Sequence, residues 1–194
     1  MVRQELVFLE CFITQANLSN STKEKQSVIK SVYEQNPQLF KDLMLLVYDY
    51  HNKYYVTSAN VLKLENEIEP LIVEDSMSIF DLCQALNSRS VTGHDAIALI
   101  LGFINKFNEH RDTVLRILDK DLGCRIDAKT INKVIPNLIP TFDVSLGEKV
   151  EWDRFNWQED KWYISRKLDG IRCVYQANYH TTTSRQGEEF WTKI

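Results

Sequence analysis

The chain has 194 residues, of which 44% are hydrophobic and 26% charged, and its formal net charge is −4 at pH 7. This length and composition predict a globular protein with one full domain and part of a second, and exclude a fibre or a low-complexity chain. No apolar run approaches the roughly 18 residues of a membrane span, and the N-terminus lacks the features of a signal peptide, so we expect a cytoplasmic protein without a membrane partner.

Residues 1–140 carry the signals of helices. The predicted N-caps, in chain order, are Ser21 in a capping box with Glu24, Asn36 before Pro37, Ser78 in a capping box with Asp81, Thr92, and Asp127. Apolar residues follow at three-and-four spacing; after Thr92, for example, Ile97, Ile100, Leu101 and Ile104 share one face. Prolines at 136 and 140 end the last helix. These patterns predict an all-helical domain over residues 1–140.

The pattern changes after Pro140. A polar connector over residues 141–160 leads into a segment, residues 161–194, that alternates and is rich in Tyr, Val, Ile and Thr. It predicts strands near 162–166, 171–177 and 181–185. Some fifty residues are too few for an independent mixed domain. We therefore predict a mainly α protein, with a helical domain followed by the first β-strands of an incomplete α+β domain.

Cysteine and histidine spacing argues against a structural metal. Cys11, Cys83, Cys124 and Cys173 form no Cys-x-x-Cys pair, and the four histidines are scattered. We expect four reduced, buried thiols and assign no metal ligand.

The negative net charge is unfavourable for nucleic-acid binding, but the charge is uneven along the chain. Residues 111–133 hold six basic and four acidic side chains, which leaves that stretch at +2. The basic residues are Arg111, Arg116, Lys120, Arg125, Lys129 and Lys133, and the acidic ones are Asp112, Asp119, Asp121 and Asp127.

The stretch SRKLDGIRCV, residues 165–174, crowds cations around an Asp-Gly pair. Asp169 and Gly170 form a strong hairpin signal, so one interpretation is a simple turn flanked by solvated cations. The alternative is nucleotide chemistry. Neighbouring cations favour the neutral, nucleophilic amine of Lys167, and the planar fork of Arg172 can bind two phosphate oxygens.

KLDGIR, residues 167–172, resembles the nucleotidyltransferase motif shared by ATP-dependent DNA ligases, RNA ligases and capping enzymes. SRQG, residues 184–187, resembles the second motif of the DNA ligases. The resemblance implies that Lys167 becomes adenylated, that Arg172 and Arg185 contact the nucleotide or the nick phosphate, and that Ser165 lies at an adenine-contacting position. It also implies ATP and Mg²⁺ as cofactors.

Three helical segments, VTGHDAIALILGF, LDKDLGCRI and TINKVIPNLIP, resemble the helical DNA-binding domain of these ligases, most of all the T-even bacteriophage type. Thr92 and Gly93 at a helix start are predicted to bind a DNA phosphate, and Lys120, Arg125 and Lys133 to contact the backbone along the minor groove. The family pattern has a small residue where this chain has Arg125.

The implied function is nick sealing in duplex DNA through a lysyl-AMP intermediate, by a monomer, in replication, repair or recombination. If the gene belongs to a phage, the host cytoplasm is the expected location. The later motifs and the oligonucleotide-binding domain are expected beyond Ile194. One alternative is a catalytically inactive DNA-binding module; a weaker one is an RNA ligase or capping-type transferase.

Overall fold

The computed structural model describes residues 3–141, 156, 158, 161, 163, 173–176 and 181–184 of the chain. Its helices are α1 Gln4–Asn17, α2 Thr22–Gln35, α3 Pro37–Tyr48, α4 Ser58–Leu64, α5 Ile79–Asn87, α6 Gly93–Lys106, a 3-10 turn Asn108–His110, α7 Arg111–Leu118 and α8 Ala128–Val134; its strands are β1 Val174–Gln176 and β2 Thr181–Thr183. Two compact units contain these elements, Met1–Thr141 and Phe142–Ile194. The predicted division at residues 140 and 160 stays a prediction, because residues 142–155 lie outside the described part.

Local capping explains where several helices begin. The Asn36 side chain accepts a hydrogen bond from the Leu39 N–H, 3.1 Å away, and Pro37 occupies the first turn of α3. Ser78 and Asp81 form the predicted capping box of α5. The capping box predicted at Ser21 is wrong: α2 begins at Thr22, but the Ser21 side chain makes no capping hydrogen bond.

Asp127 is the predicted N-cap of α8, and it caps that helix in the structure. Its carboxylate accepts from the Thr130 N–H, 2.8 Å away, and from the Thr130 hydroxyl, 2.6 Å away. The hydroxyl bond is the main reason that the pKa of Asp127 lies below its ordinary value. The carboxylate therefore stays ionised at neutral pH and remains a strong acceptor for the helix end.

In the helical unit α6 packs against α4, α5 and α7, and α7 also packs against α1 and α3. The predicted core face of α6 is confirmed, since Ile97, Ile100, Leu101 and Ile104 are all buried. Edge-on aromatic packing joins α1 to α3, where the rings of Phe12 and Phe40 lie 5.4 Å apart. None of the described helices is both long and apolar enough to cross a lipid bilayer.

The cysteines only partly match the expectation. All four are free, as predicted, but Cys11 and Cys173 are exposed whereas Cys83 and Cys124 are buried. Helical periodicity puts Cys11 on the outer face of α1, next to the buried Phe12. Burial raises the pKa of Cys83 to about 12 and also raises that of Cys124, so both thiols stay protonated at neutral pH.

This difference predicts a two-step thiol titration. With a disulfide-exchange reagent at neutral pH, the folded protein should expose the two thiols of Cys11 and Cys173 at once, and the other two only after unfolding in denaturant. The absorbance of the released chromophore counts both steps. Serine at Cys11 and Cys173 serves as the control and should remove the fast step. A fast step that persists in this variant would contradict the burial of Cys83 and Cys124.

In the second unit, β1 and β2 pair antiparallel, with Val174 opposite Thr183 and Gln176 opposite Thr181. Both fall inside strands predicted at 171–177 and 181–185, which confirms those two strands. The turn predicted at Asp169 and Gly170 lies outside the described residues. The strand predicted at 162–166 lies outside the described residues. The mainly α fold with a small β element is thereby confirmed.

Candidate nucleic-acid interface

The loop of residues 119–127, called here the 119–127 loop, is held in place by donors from three helices. The Lys25 ammonium, only 6% exposed, donates to the Cys124 carbonyl at 2.6 Å. The Tyr48 hydroxyl donates to the Ile126 carbonyl at 2.8 Å, and the Arg116 guanidinium donates to the Leu122 carbonyl at 2.6 Å. Burial raises the pKa of Tyr48, so its hydroxyl keeps its proton and remains a donor. These three carbonyls of the loop thus point toward the helices, and the hydrogen bonds fix the conformation of the loop.

The backbone of the loop enters the left-handed region at three residues, Lys120, Gly123 and Arg125, with φ of 56°, 66° and 53°. Glycine is favoured at position 123, because it adopts this region without strain and because a Cβ there would lie 2.5 Å from Nη1 of Arg116, which would have to shift. Arg125 adopts the same region at a cost in backbone strain of about 1 kcal/mol or more. This conformation explains why a small residue is expected at position 125, and in this chain arginine adopts it.

Lys120 is not a free cation on the surface. Its ammonium donates to the carbonyls of Asp49 and Asn52, at 2.5 and 2.8 Å, and the residue is half-buried. The structure therefore gives Lys120 a role in joining the 119–127 loop to residues 49–52. Its contact with a DNA backbone stays a prediction, and the ammonium would have to reach a phosphate while it donates to two internal carbonyls.

Arg125, Lys129 and Lys133 are exposed. The Arg125 guanidinium reaches the Asn20 side-chain oxygen at 3.3 Å, a weak contact that uses one of its five donors.

Three of the four acidic residues of the same stretch accept hydrogen bonds from the protein itself. Asp119 accepts from the Ser58 N–H, 2.8 Å away, and Asp121 accepts from the Gly123 N–H, 2.8 Å away. Asp127 caps α8, as described above. Of the basic residues, Arg125, Lys129 and Lys133 therefore remain available to a partner, while these three carboxylates fix the backbone. The surface around α8 is suited to anions despite the net charge of the chain.

The start of α6 is a second place suited to an anion, besides the surface around α8. Thr92 precedes the helix in an extended conformation and makes no side-chain cap, so the first-turn amides lack the usual side-chain acceptor. Gly93 has φ of 57°, and a Cβ built there would meet nothing within 4 Å, so a ligand can approach the backbone closely. Asp95 in the first turn offsets part of the positive end of the helix dipole.

Beside this helix start lies a pocket of about 150 Å³ whose lining includes Tyr55, Arg89, Thr92 and Gly93. The Arg89 guanidinium carbon lies 4.9 Å from the centre of the Tyr55 ring, and both residues are exposed with φ near 60°. An aromatic ring with a stacked guanidinium beside free amides is suited to a sugar-phosphate. The sequence analysis did not predict Tyr55 and Arg89 as site residues. In the sequence, Tyr55 is marked only by its neighbour Tyr54, and Arg89 only by its place in a polar loop.

Hydrogen bonds join these features into one surface. The Asn87 side chain accepts from the Lys53 N–H at 2.9 Å and donates to the Asn52 side chain at 3.2 Å. Residue 52 in turn accepts from Lys120, as described above. The loops 49–56, 88–93 and 119–127 therefore form a continuous surface, called here the three-loop surface. It brings together Thr92, Gly93 and Lys120 of the predicted DNA contacts with Arg125 at its edge, while Lys133 follows on α8.

The predicted nucleotide residues Ser165, Lys167, Arg172 and Arg185 lie outside the described residues. The described hairpin adjoins them in sequence: Arg172 precedes Val174 by two positions, and Arg185 follows Thr183 by two. Val174 pairs with Thr183, so the start of β1 lies beside the end of β2. Among the described residues no cluster of three or more His, Cys, Asp or Glu side chains is arranged to hold a metal ion.

The chain is similar to phage DNA ligases. Over 167 residues it is 27% identical to the DNA ligases of Enterobacteria phages T4 and T6, an alignment that covers 81% of this chain and 32% of each relative. Two solved structures titled Pmar-Lig_PreS3 and Pmar-Lig_Pre. share its fold, with TM-scores of 0.61 and 0.63 and identities of 24% and 25%. These matches cover 94% of this chain and 43% of those chains.

No protein-family model matches the chain. The predicted resemblance to the T-even phage ligases is confirmed. The chain spans about a third of the length of these curated relatives, since the aligned share is 32%.

Proposed function

We propose that this protein acts in ATP-dependent DNA ligation, with the helical unit binding nicked duplex DNA and Lys167 carrying AMP. The observation that carries the proposal is the similarity to the T4 and T6 DNA ligases over 167 residues. The KLDGIR and SRQG motifs support it, because they provide a nucleophile and two arginines in the order that adenylation needs.

In this proposal the three-loop surface follows the sugar-phosphate backbone of the duplex. Arg125 and Lys133, with Lys129 beside them, neutralise phosphates, and the backbone amides at Thr92 and Gly93 hold one more phosphate. These contacts are to phosphate and sugar, so they position the protein without reading sequence. Binding is therefore expected to weaken steeply as salt concentration rises.

The nucleotide chemistry is assigned to the second unit. The neutral amine of Lys167 attacks the α-phosphorus of ATP; a P–N bond forms, the bond to the bridging oxygen breaks, pyrophosphate leaves, and the amine loses its proton. Arg172 and Arg185 stabilise the negative charge that develops on the phosphoryl oxygens. Mg²⁺, when bound, would neutralise further phosphate charge. AMP then passes to the 5′-phosphate of the nick, and the 3′-hydroxyl displaces it to close the strand.

The test combines two measurements on the full chain. The first is intact mass after incubation with ATP and Mg²⁺, with NAD and GTP as controls; the second is binding to nicked duplex and to nicked RNA at several salt concentrations. A single AMP adduct with ATP, together with salt-sensitive binding of nicked DNA, is the expected result. Binding without an adduct would identify a DNA-binding module, and a guanylate adduct or a preference for RNA would identify an RNA ligase or capping-type transferase. The absence of both adduct and binding would overturn the proposal.

Arg125 offers a sharp test of the interface. Arg125→Gly removes the charge and also relieves the left-handed backbone, so the free energy of unfolding should stay within about 1 kcal/mol of the parent or rise slightly. Affinity for duplex DNA should fall, and the slope of log affinity against log salt should decrease by about 1 if a phosphate contact is lost. Fluorescence anisotropy across a salt series measures both.

The matched control is Lys63→Gln, which removes an exposed cation in the last turn of α4. It should leave the salt slope unchanged. If Arg125→Gly binds DNA with the parent's affinity and slope, Arg125 is not part of the interface.

A further inference from the structure

Residues 69–76, called here the 69–76 segment, form neither helix nor strand and are fixed against α6. The Leu71 N–H donates to the Ala98 carbonyl at 2.9 Å, and the Lys106 ammonium donates to the Val73 carbonyl at 2.5 Å. Gly102 permits this contact, since a Cβ on it would lie 2.0 Å from the Leu71 carbonyl oxygen. The Val73 side chain is buried beneath the segment. The backbone is thus held in one conformation although the segment lacks regular structure.

This rigid segment presents apolar side chains to solvent. Ile72 is fully exposed and Leu71 is 45% exposed. Beside them lies an open groove of about 410 Å³, in whose lining Ile72, Val73, Met77 and Leu99 supply the apolar part. Single exposed apolar residues are common, but an exposed pair beside an apolar groove on a fixed backbone is typical of a binding surface. Little ordering entropy remains to be lost there on binding.

The surroundings of the groove are strongly acidic. Residues 65–81 contain six carboxylates and no Lys, Arg or His, a formal charge of −6. Within the described part of the chain two of the six are in ion pairs, Asp75 with Lys106 at 2.5 Å and Glu65 with Arg111. Subtracting these two leaves −4, on Glu67, Glu69, Glu74 and Asp81. The Arg3 guanidinium donates to the carbonyls of Asp75 and Met77 beside the groove, which reduces the charge to −3 among the described residues. Glu74 and Asp81 line the groove itself.

The charge excludes several occupants. Phosphates of a nucleic acid or an anionic membrane would be repelled, and so would the same acidic surface of a second copy of this chain. A partner with cations around an apolar side chain matches both the groove and its rim. The 69–76 segment meets α6 at Ala98, about 7.5 Å along the helix from Gly93 at a rise of 1.5 Å per residue, and Leu99 in the groove lining lies further from Gly93.

We propose that the groove beside the 69–76 segment is a docking site for a basic peptide segment of a partner protein, with an apolar side chain seated against Ile72 and Met77 and flanking Lys or Arg residues against Glu74 and Asp81. The site is independent of the proposed ligation chemistry. It allows a partner to be held by the helical unit through a face other than the one assigned to DNA.

The test measures binding of a dye-labelled Lys-Lys-Leu-Leu-Lys-Lys peptide to the full chain by fluorescence anisotropy at low and high salt. One variant, Ile72→Ser, removes the apolar anchor; a second, Glu74→Lys, reverses one rim charge. Because both side chains are exposed, the variants should fold like the parent. Each is expected to weaken binding by about tenfold or more. The matched control is Leu18→Ser, at an 83% exposed leucine in another loop, and it should bind like the parent.

Three results would overturn the proposal: no binding of the basic peptide, equal binding of a peptide with Glu in place of Lys, or parental affinity in the Ile72→Ser variant. A second copy of this chain is the other possible occupant of the groove. Sedimentation of the parent and of Ile72→Ser tests for it. If the parent forms a dimer that this variant abolishes, the groove binds a second copy and not a basic partner. Binding of nicked DNA by Ile72→Ser should match the parent, which distinguishes this site from the three-loop surface.

Discussion

Changing Lys167 to alanine or to arginine is expected to abolish transfer of AMP to the protein, by roughly a thousandfold or more, as removal of a nucleophile does in other enzymes. Alanine has no amine. Arginine keeps the charge but never provides a neutral nitrogen, because its pKa lies above about 12. Intact mass after incubation with ATP and Mg²⁺ measures the adduct. Both variants should still bind nicked DNA, since the proposed contacts lie in the helical unit.

The control for this experiment is Lys161→Ala, at an exposed lysine shortly before the motif. It should accept AMP like the parent. An adduct that persists in Lys167→Ala, and that peptide mapping places on another lysine, would show that KLDGIR is only a turn. That outcome would return the motif to its simpler interpretation as a hairpin signal.

Gly102→Ala should lower the free energy of unfolding by about 2 to 3 kcal/mol, the upper part of the range for an overpacked core. The added Cβ would meet the Leu71 carbonyl oxygen at 2.0 Å and the Val73 Cγ2 at 3.0 Å. The oxygen belongs to the backbone and cannot rotate away, and moving it would break the hydrogen bond from Leu71 to Ala98. Helix propensity alone would make the alanine variant more stable by about 1 kcal/mol. A loss of stability would therefore show that the contact with Leu71 outweighs helix propensity.

Urea unfolding followed by circular dichroism measures this change. Asn105→Ala, at an exposed position on the same helix, is the matched control and should stay within about 0.5 kcal/mol of the parent. If Gly102→Ala is as stable as the parent, the 69–76 segment can move off α6 without cost. The rigid backbone assumed for the docking groove would then be absent.

The distribution of charge explains how a chain of net charge −4 can be suited to DNA. Residues 65–81 alone contribute −6, whereas residues 111–133 contribute +2, from six basic and four acidic side chains. In the second stretch three aspartates are bonded to backbone amides, which leaves Arg125, Lys129 and Lys133 exposed. A field this uneven orients the molecule toward an anionic partner more than its net charge suggests.

The amino-acid sequence by itself determined those features whose cause lies within a few residues. Asn36 and Pro37 start α3, Ser78 and Asp81 cap α5, and Asp127 caps α8, since donor and acceptor are three positions apart in each cap. The apolar face of α6 and the strands of the hairpin follow in the same way from short periods. The ligase resemblance is also a property of sequence, because it rests on short motifs in a fixed order.

The tertiary structure alone decided which side chains remain available. Lys120 has the same local pattern as an exposed cation, yet its ammonium donates to carbonyls about seventy positions earlier, with separations of 71 and 68. Lys25 donates across 99 positions, and Arg89 reaches the ring of Tyr55 from another loop. Such pairings depend on how helices pack, and no local period encodes them. For the same physical reason the acidic groove at Ile72 cannot be predicted from the sequence, because it depends on the packing of the 69–76 segment against α6.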